Sequence, residues 1–326
     1  MKFVIDDIEI FIPTHNRADY LAQAIESILN QTASVKSLTV LDNESTDNTQ
    51  EVVKNFENRG VKYIKTHGFL GNFNKAQEIA SKKYVMLVHD DDILHPKYLE
   101  FALKALNKYR NISLITTRYT EFLNDEIPSF AEKISSNHYL FKSQKDFAKH
   151  MYYIERIAYS PAIYRTSDFI KNSLEYEKFN KFNDWPFMVK IAKYGKTVLF
   201  DDWEMFLARK HSGQDTWTFT NMPSLEQIVN WDKFFYNAMK LKNKFLPINI
   251  REKIMFNLKS EYYMLGKYNS FLSPQDREKF SFDNLNDIAV KLGIKFEIKY
   301  FSKAILREVK RRYLKKIQSK NKRGKL

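Results

Sequence analysis

Cysteine is absent from all 326 residues, which excludes disulfides, thiolate zinc sites and cysteine nucleophiles, and nothing calls for an oxidising compartment. No run approaches the roughly 18 consecutive apolar residues of a membrane span. The amino terminus, MKFVIDDIEIF, carries acids where a signal peptide needs its apolar segment. The expectation is a cytoplasmic chain. An apolar fraction of 44% with 15% aromatics excludes a disordered protein, and the length allows one large domain or two of ordinary size. Acids are scarce in one place above all. Between Lys303 and Lys325 eleven Lys and Arg face a single acid, Glu308, within a formal net charge of +14, and that asymmetry points to an acidic surface as partner, anionic lipid or nucleic acid.

What is present is organised around KYVMLVHDDDILHP, Lys83 to Pro96. Tyr84 to Val88 predict a strand buried on both faces, because Val85, Met86, Leu87 and Val88 give no polar alternation. Three acids, Asp90, Asp91 and Asp92, follow at its carboxyl end. Ionised carboxylates about 5 Å apart repel by roughly 3 kcal/mol per pair at an effective dielectric near 20, so a cation is expected to relieve them. Oxygen ligands suit Mg²⁺ or Mn²⁺, which complete their coordination with water and substrate phosphates. A single Asp would suffice to cap the following helix, which His95-Pro96 opens.

The preceding chain repeats strand, polar loop, helix. Ile8 to Ile12 predicts a strand, PTHNR a loop, and Ala18 to Asn30 a helix with Leu21, Ala24, Ile25, Ile28 and Leu29 on one face. Ser37 to Leu41 is strand and Asn48 to Phe56 helix; Val61 to Ile64 is strand and Asn72 to Ser81 helix. Alternation of this kind implies parallel pairing with every strand's carboxyl end on one edge, where ligands bind in open α/β sheets. The loops PTHNR, DNESTD and HDDD all fall on that edge. Beyond a helix from Pro96 to Tyr109 and a strand from Ile112 to Thr117, the chain to about Met151 shows no regular pattern. Strands are expected at Tyr159 to Tyr164, Thr197 to Phe200 and Met205 to Ala208, with a helix from Asn183 stopped by Gly195. A helical pattern runs from about Ser224 onward, dividing the chain near 220 into domains 1–220 and 221–326.

Together these residues resemble a family 2 inverting glycosyltransferase with a GT-A fold, over roughly Ile8 to Trp217. The resemblance implies an α/β fold, a mostly parallel Rossmann-like sheet flanked by helices, followed here by a C-terminal helical extension. By the same resemblance Pro13, Thr14, Asn16 and Arg17 line the nucleotide pocket, and Asp42 with Asn43 in VLDNESTD contacts the base or ribose. An Asx-rich loop after a strand is also an ordinary turn. Asn72 and Lys75 match a polar face opposite the base, and Asn72 is equally a good helix cap. HDDD corresponds to the DxD region, which implies that Asp91 binds metal and Asp90 binds ribose or metal, while Asp92 holds the turn. His211 resembles a late His aimed at the metal and diphosphate, with Arg209 beside it on the substrate. KFNDWPFMVKIAKYG resembles the ED motif, so that Asp184 is the catalytic base and Asn183 replaces the usual Glu.

The implied chemistry is metal-dependent, non-processive transfer, the QxxRW sequence of processive synthases being absent. The donor is a UDP-sugar type nucleotide sugar, the cofactor Mn²⁺ or Mg²⁺, and the acceptor a saccharide of a capsule or O-antigen type polysaccharide. Phe301, Ile305, Val309, Tyr313 and Ile317 recur every four residues among Lys and Arg. That pattern fits an amphipathic helix on the inner face of an anionic membrane, serving a lipid-linked acceptor, or a helix packed on the domain. The helical region after 220 offers a homodimer surface, and no nucleic-acid partner is expected. Two rivals are a sugar-1-phosphate nucleotidyltransferase, which would show a Gly-rich loop where PTHNR has no Gly, and a non-enzymatic basic membrane or nucleic-acid-binding module, which leaves the acids at strand ends unexplained.

Overall fold

The computed structural model describes residues 2–123, 127–130, 134–153, 157–211, 225–239 and 322–323. A nine-stranded sheet forms the spine, in the order β12-β8-β10-β6-β9-β4-β1-β2-β3. Its members are β1 (Ile8–Thr14), β2 (Leu38–Asn43), β3 (Val61–Thr66), β4 (Tyr84–Leu87), β6 (Ile112–Thr117), β8 (His138–Phe141), β9 (Ile163–Arg165), β10 (Lys196–Phe200) and β12 (Lys322–Arg323). Strand β1 pairs in parallel with β2 on one side and β4 on the other, β2 with β3, and β6 with β10. The order therefore reverses around β1, and such a switch point leaves a crevice at the carboxyl ends of the strands flanking it.

The expected mostly parallel sheet flanked by helices is what the chain forms. One detail differs. Strand β9 runs antiparallel to both β4 and β6, and β8 antiparallel to β10, so the carboxyl ends do not all share one edge. Because β9 reverses twice, β6 regains the direction of β4, and the strands that carry the polar loops still end together. The segment that shows no sequence pattern contains β7 (Thr120–Leu123), β8 and α5 (Gln144–Tyr153); strands of four residues are too short to display a period.

Helices cover both faces. On one side α1 (Ala18–Leu29), α2 (Thr49–Lys54) and α4 (Tyr98–Lys108) bury Leu21, Ile25, Val53 and Leu99 against Ile10, Ile12 and Met86. On the other, α3 (Gly71–Ile79), α5 and α8 (Asp184–Ile191) bury Phe73, Phe147 and Phe187 against Phe11, Val85 and Leu87. Each sheet face thus buries alternate residues of the same strands, the reason β4 is apolar throughout. The α9 helix (Leu225–Ala238) adds Trp231 and Phe235 to the second cluster. The chain around the expected boundary near 220, and residues 240–321, on which the expected basic amphipathic helix falls, lie outside the described residues.

A smaller sheet decides the geometry of the acids. Strand β11 (Phe206–Lys210) lies between β5 (Ile93–Leu94) and β7. Leu207 sits opposite Ile93 and Phe206 opposite Leu94, which brings Arg209, further along β11, to Asp92.

Candidate active site

After β4 the chain leaves the sheet as Val88 donates its N–H to the Phe11 carbonyl at 3.0 Å and His89 donates to the Ser160 hydroxyl at 2.9 Å. Asp90, Asp91 and Asp92 are then buried, at 1%, 2% and 4% exposure. Acids so deep need cationic neighbours. Arg17, from the loop after β1, donates to Asp90 Oδ1 at 2.9 Å and to Asp91 Oδ2 at 3.3 Å. Burial pushes Asp90 above the usual carboxylate range, and Arg17 draws it back while Asp91 adds to the rise. Asp92 is raised by its burial too, against a hydrogen bond from His89. Burial disfavours charge on His89, yet Asp92, Asp91 and Asp184 together outweigh it and hold the imidazolium up to about 9.

The small sheet supplies the second support. The Arg209 backbone N–H donates to Asp92 Oδ1 at 3.1 Å and its Nε to the Asp91 carbonyl at 3.0 Å. Its guanidinium lies 4.6 Å from the ring centres of both Tyr20 and Phe122 and donates to Gln23. Arg209 is 0% exposed, so this side chain, expected on the substrate, instead braces the acidic loop from behind. His211 does reach the acids: its Nε2 is 3.1 Å from Asp91 Oδ2, with the ring 4.6 Å from Tyr20.

A cleft of about 530 Å³ opens over these groups, lined by Pro13, Thr14, Asn16, Arg17, Asn72, Asp90, Asp91 and Asp184 among others. Eight of the sequence-selected residues thereby meet in one cavity. Asn16 takes the left-handed backbone (φ 51°) that Asn tolerates, and ties two loops by accepting from Thr46 N–H at 2.7 Å while donating its own N–H to Ser45. Asn72 donates to the Thr14 carbonyl at 3.1 Å and accepts from Thr66 at 2.6 Å. It sits beside Gly71, where an added Cβ would come within 3.0 Å of Asn43 Oδ1. Asp42, Asn43, Lys75, Arg209 and His211 are not among the cleft's lining residues. Asp42 is 1% exposed and accepts from Ser45 and the Tyr63 hydroxyl, and Lys75 is paired with Glu78 at 2.7 Å.

Asp184 opens α8 and lines the same cleft, half-buried and within electrostatic reach of His89 and Tyr159. Burial raises its carboxyl to about 6, opposed only by the positive charge on His89. The surroundings are Phe187, 1% exposed, with Tyr159 and Tyr164 packed on its ring at 6.5 and 5.5 Å. A carboxylate poised near neutrality is suited to accept a proton.

Whether the acidic loop suits a divalent metal can be asked of its atoms. His89, Asp91 and Asp92 each present a ligand atom, all within 4.8 Å of one another. Asp90 Oδ2 is buried and meets no donor at hydrogen-bond geometry among the described residues. The carboxylate oxygens fit Mn²⁺ or Mg²⁺, and His89, held as an imidazolium, would have to release its proton before its nitrogen could join them. Sequence reasoning gave no role to His89, Tyr20 or Tyr159. His89 was visible in HDDD, whereas Tyr20 and Tyr159 gain meaning only from contacts across the fold.

An acid-bearing crevice at the switch point of an open α/β sheet is a ligand-binding place, and the comparisons identify the class of enzyme. The sequence model of Glycosyl transferase family 2 matches residues 9–169. An uncharacterized glycosyltransferase of Methanocaldococcus jannaschii is 30% identical over 209 residues, 62% of this chain and 69% of that protein. The UDP-Glc:alpha-D-GlcNAc-diphosphoundecaprenol beta-1,3-glucosyltransferase WfgD of Escherichia coli is 29% identical over 123 residues, 37% of this chain and 48% of that protein. Among solved structures, Staphylococcus aureus TarS 1-349 in complex with UDP-GlcNAc superposes with a TM-score of 0.56 at 17% identity, covering 86% of this chain and 78% of that one. The chain belongs to glycosyltransferase family 2, and it is a glycosyltransferase. Among the described residues no helix is long and apolar enough to cross a membrane.

Proposed function

We propose that the chain is a metal-dependent, non-processive inverting glycosyltransferase. It moves a sugar from a nucleoside diphosphate donor of the UDP type to a hydroxyl of a lipid-linked saccharide acceptor, in the assembly of a capsule or O-antigen type polysaccharide. The observation that carries this reading is that Asp90 and Asp91 share one cleft with Asp184, whose carboxyl is raised to about 6. WfgD, by its name, uses UDP-Glc and a diphosphoundecaprenol-linked acceptor, and TarS was solved with UDP-GlcNAc; both favour the donor and acceptor classes named here.

Thr14, Asn16, Arg17 and Asn72 bind the nucleotide half of the donor along the ends of β1 and α3. Asp90, Asp91 and Asp92, with His89 and His211 at the margin, would hold Mn²⁺ or Mg²⁺, which neutralises charge growing on the leaving diphosphate. Arg17 contributes a guanidinium on the same side. Asp184 takes the proton from the acceptor hydroxyl as its oxygen attacks the anomeric carbon from the face away from the leaving group. Arg209 and Tyr20 keep the acidic loop in place. Incubation of the chain with UDP-sugars and Mn²⁺ should release UDP slowly by hydrolysis, and EDTA should stop it. Release of pyrophosphate instead would assign a nucleotidyltransferase, and no turnover of any sugar nucleotide would refute the proposal.

A further inference from the structure

A second cavity, of about 560 Å³, lies where α8, α9 and the segment before α7 (Tyr176–Phe179) meet. Lys178, Lys190 and Lys193 line it together with the carboxamides of Asn172, Asn230 and Asn237, and no carboxylate does among the described residues. Glu175 is the nearby counter-charge, ion-paired with Lys190 and 3.9 Å from Lys178. Lys193 has no ion-pair partner among the described residues. Three ammonium groups against one carboxylate leave a net positive concavity, and apolar walls from Phe234 and Ala238 reduce screening inside it. Ammonium and carboxamide donors together suit an oxyanion flanked by hydroxyls.

Its position ties it to the catalytic cleft. Leu174 lines the cleft, while Asn172 and Lys178 on either side of it in sequence line the second cavity, so one stretch of chain is the wall between them. The α8 helix spans both: Asp184 stands at its first position, and Lys190 lies six residues on, roughly 9 Å along the axis. We propose that the lysine cavity binds the phosphate groups of the acceptor, the diphosphate that joins the saccharide to its lipid, and so sets which acceptors present a hydroxyl to Asp184. The proposal rests on the transferase reading of the cleft.

Calorimetric titration of inorganic pyrophosphate into the metal-free full chain tests the cavity without any turnover. Binding should persist when UDP is present and weaken at least about tenfold in the double variant Lys178→Ser, Lys193→Ser, with the melting temperature kept as a folding control. Equal affinity in variant and wild type overturns the site. In transfer assays the double variant should raise KM about tenfold for an N-acetylglucosaminyl diphosphate carrying a short lipid. It should leave kcat, donor hydrolysis and KM for the matching alkyl glycoside within twofold. A KM that moves for both acceptors, or for neither, overturns the acceptor role, as does binding of inorganic phosphate as tight as that of the lipid diphosphate. Failure of every sugar nucleotide to turn over would count against the cleft reading, and the pyrophosphate titration would still report on the lysines.

Discussion

Replacing Asp184 by Asn should make the protein more stable while disabling it. The carboxyl is raised from 3.8 to about 6 because it is buried beside apolar rings, with His89 only partly compensating. Between those two values the folded chain keeps a proton that the unfolded chain has released, so stability falls as pH rises through the window. At about one pH unit above the folded value the cost is present, at most ~3 kcal/mol for a pKa displaced from 3.8 to about 6 and less for a carboxyl that water reaches from the cleft. Asn has nearly the same shape and carries no charge. Asp184→Asn is therefore expected to melt higher by several degrees at pH 7.5, on the order of 2 °C per kcal/mol for a chain of this size, and to show a flatter stability profile between pH 4 and 7. Turnover should drop by about 10² to 10⁴, the usual contribution of a positioned base. Calorimetric melting across pH, paired with a UDP-release assay, measures both. A variant that melts lower at pH 7.5, or follows the wild-type pH profile, refutes the burial argument; near-normal turnover refutes the base assignment.

Further expectations concern the same site and the tail. Wild-type turnover should fall about tenfold per unit below pH 6 as Asp184 takes up a proton; a flat rate from pH 7 to 5 would disconnect that group from catalysis. Asp91→Ala should lower turnover by orders of magnitude with the chain still folded, and Mn²⁺ should no longer raise its melting temperature, which thermal shift would read. Arg209→Ala removes a buried guanidinium that donates to the Asp91 carbonyl, while the backbone N–H on Asp92 is kept, and should cost about 2 kcal/mol in denaturant titration; a loss below ~0.5 kcal/mol would contradict the bracing role. Truncation after about residue 300 should reduce flotation with anionic liposomes, and unchanged partitioning would discard membrane contact by the tail.

Much of this was readable from the chain because the informative segments are local. Ile112 to Thr117 stands as a strand with the expected limits, and Leu21, Ala24, Ile25 and Ile28 form the buried face of α1. Burial on both faces of β4 follows directly from four consecutive apolar residues. The acids were visible as a surplus of charge with nothing local to relieve it. What escaped is long-range. A three-residue strand such as β9 carries no signal of direction, so its antiparallel insertion could not be inferred. Arg209 reads as a surface cation until the pairing of β11 with β5 places it, 117 residues from Asp92 in sequence, under the acidic loop. Asp42 and Lys75 likewise looked available for ligand, and only the contacts of Tyr63, Ser45 and Glu78 show that this structure engages them internally.

A base at Asp184 and a diphosphate held at Asp90 and Asp91, as proposed, would require attack from the far side of the sugar. The anomeric configuration of the product reports this directly. Proton NMR of the glycoside formed from an α-linked UDP-sugar should show a β linkage; an α-linked product would contradict the placement of Asp184 and the mechanism built on it.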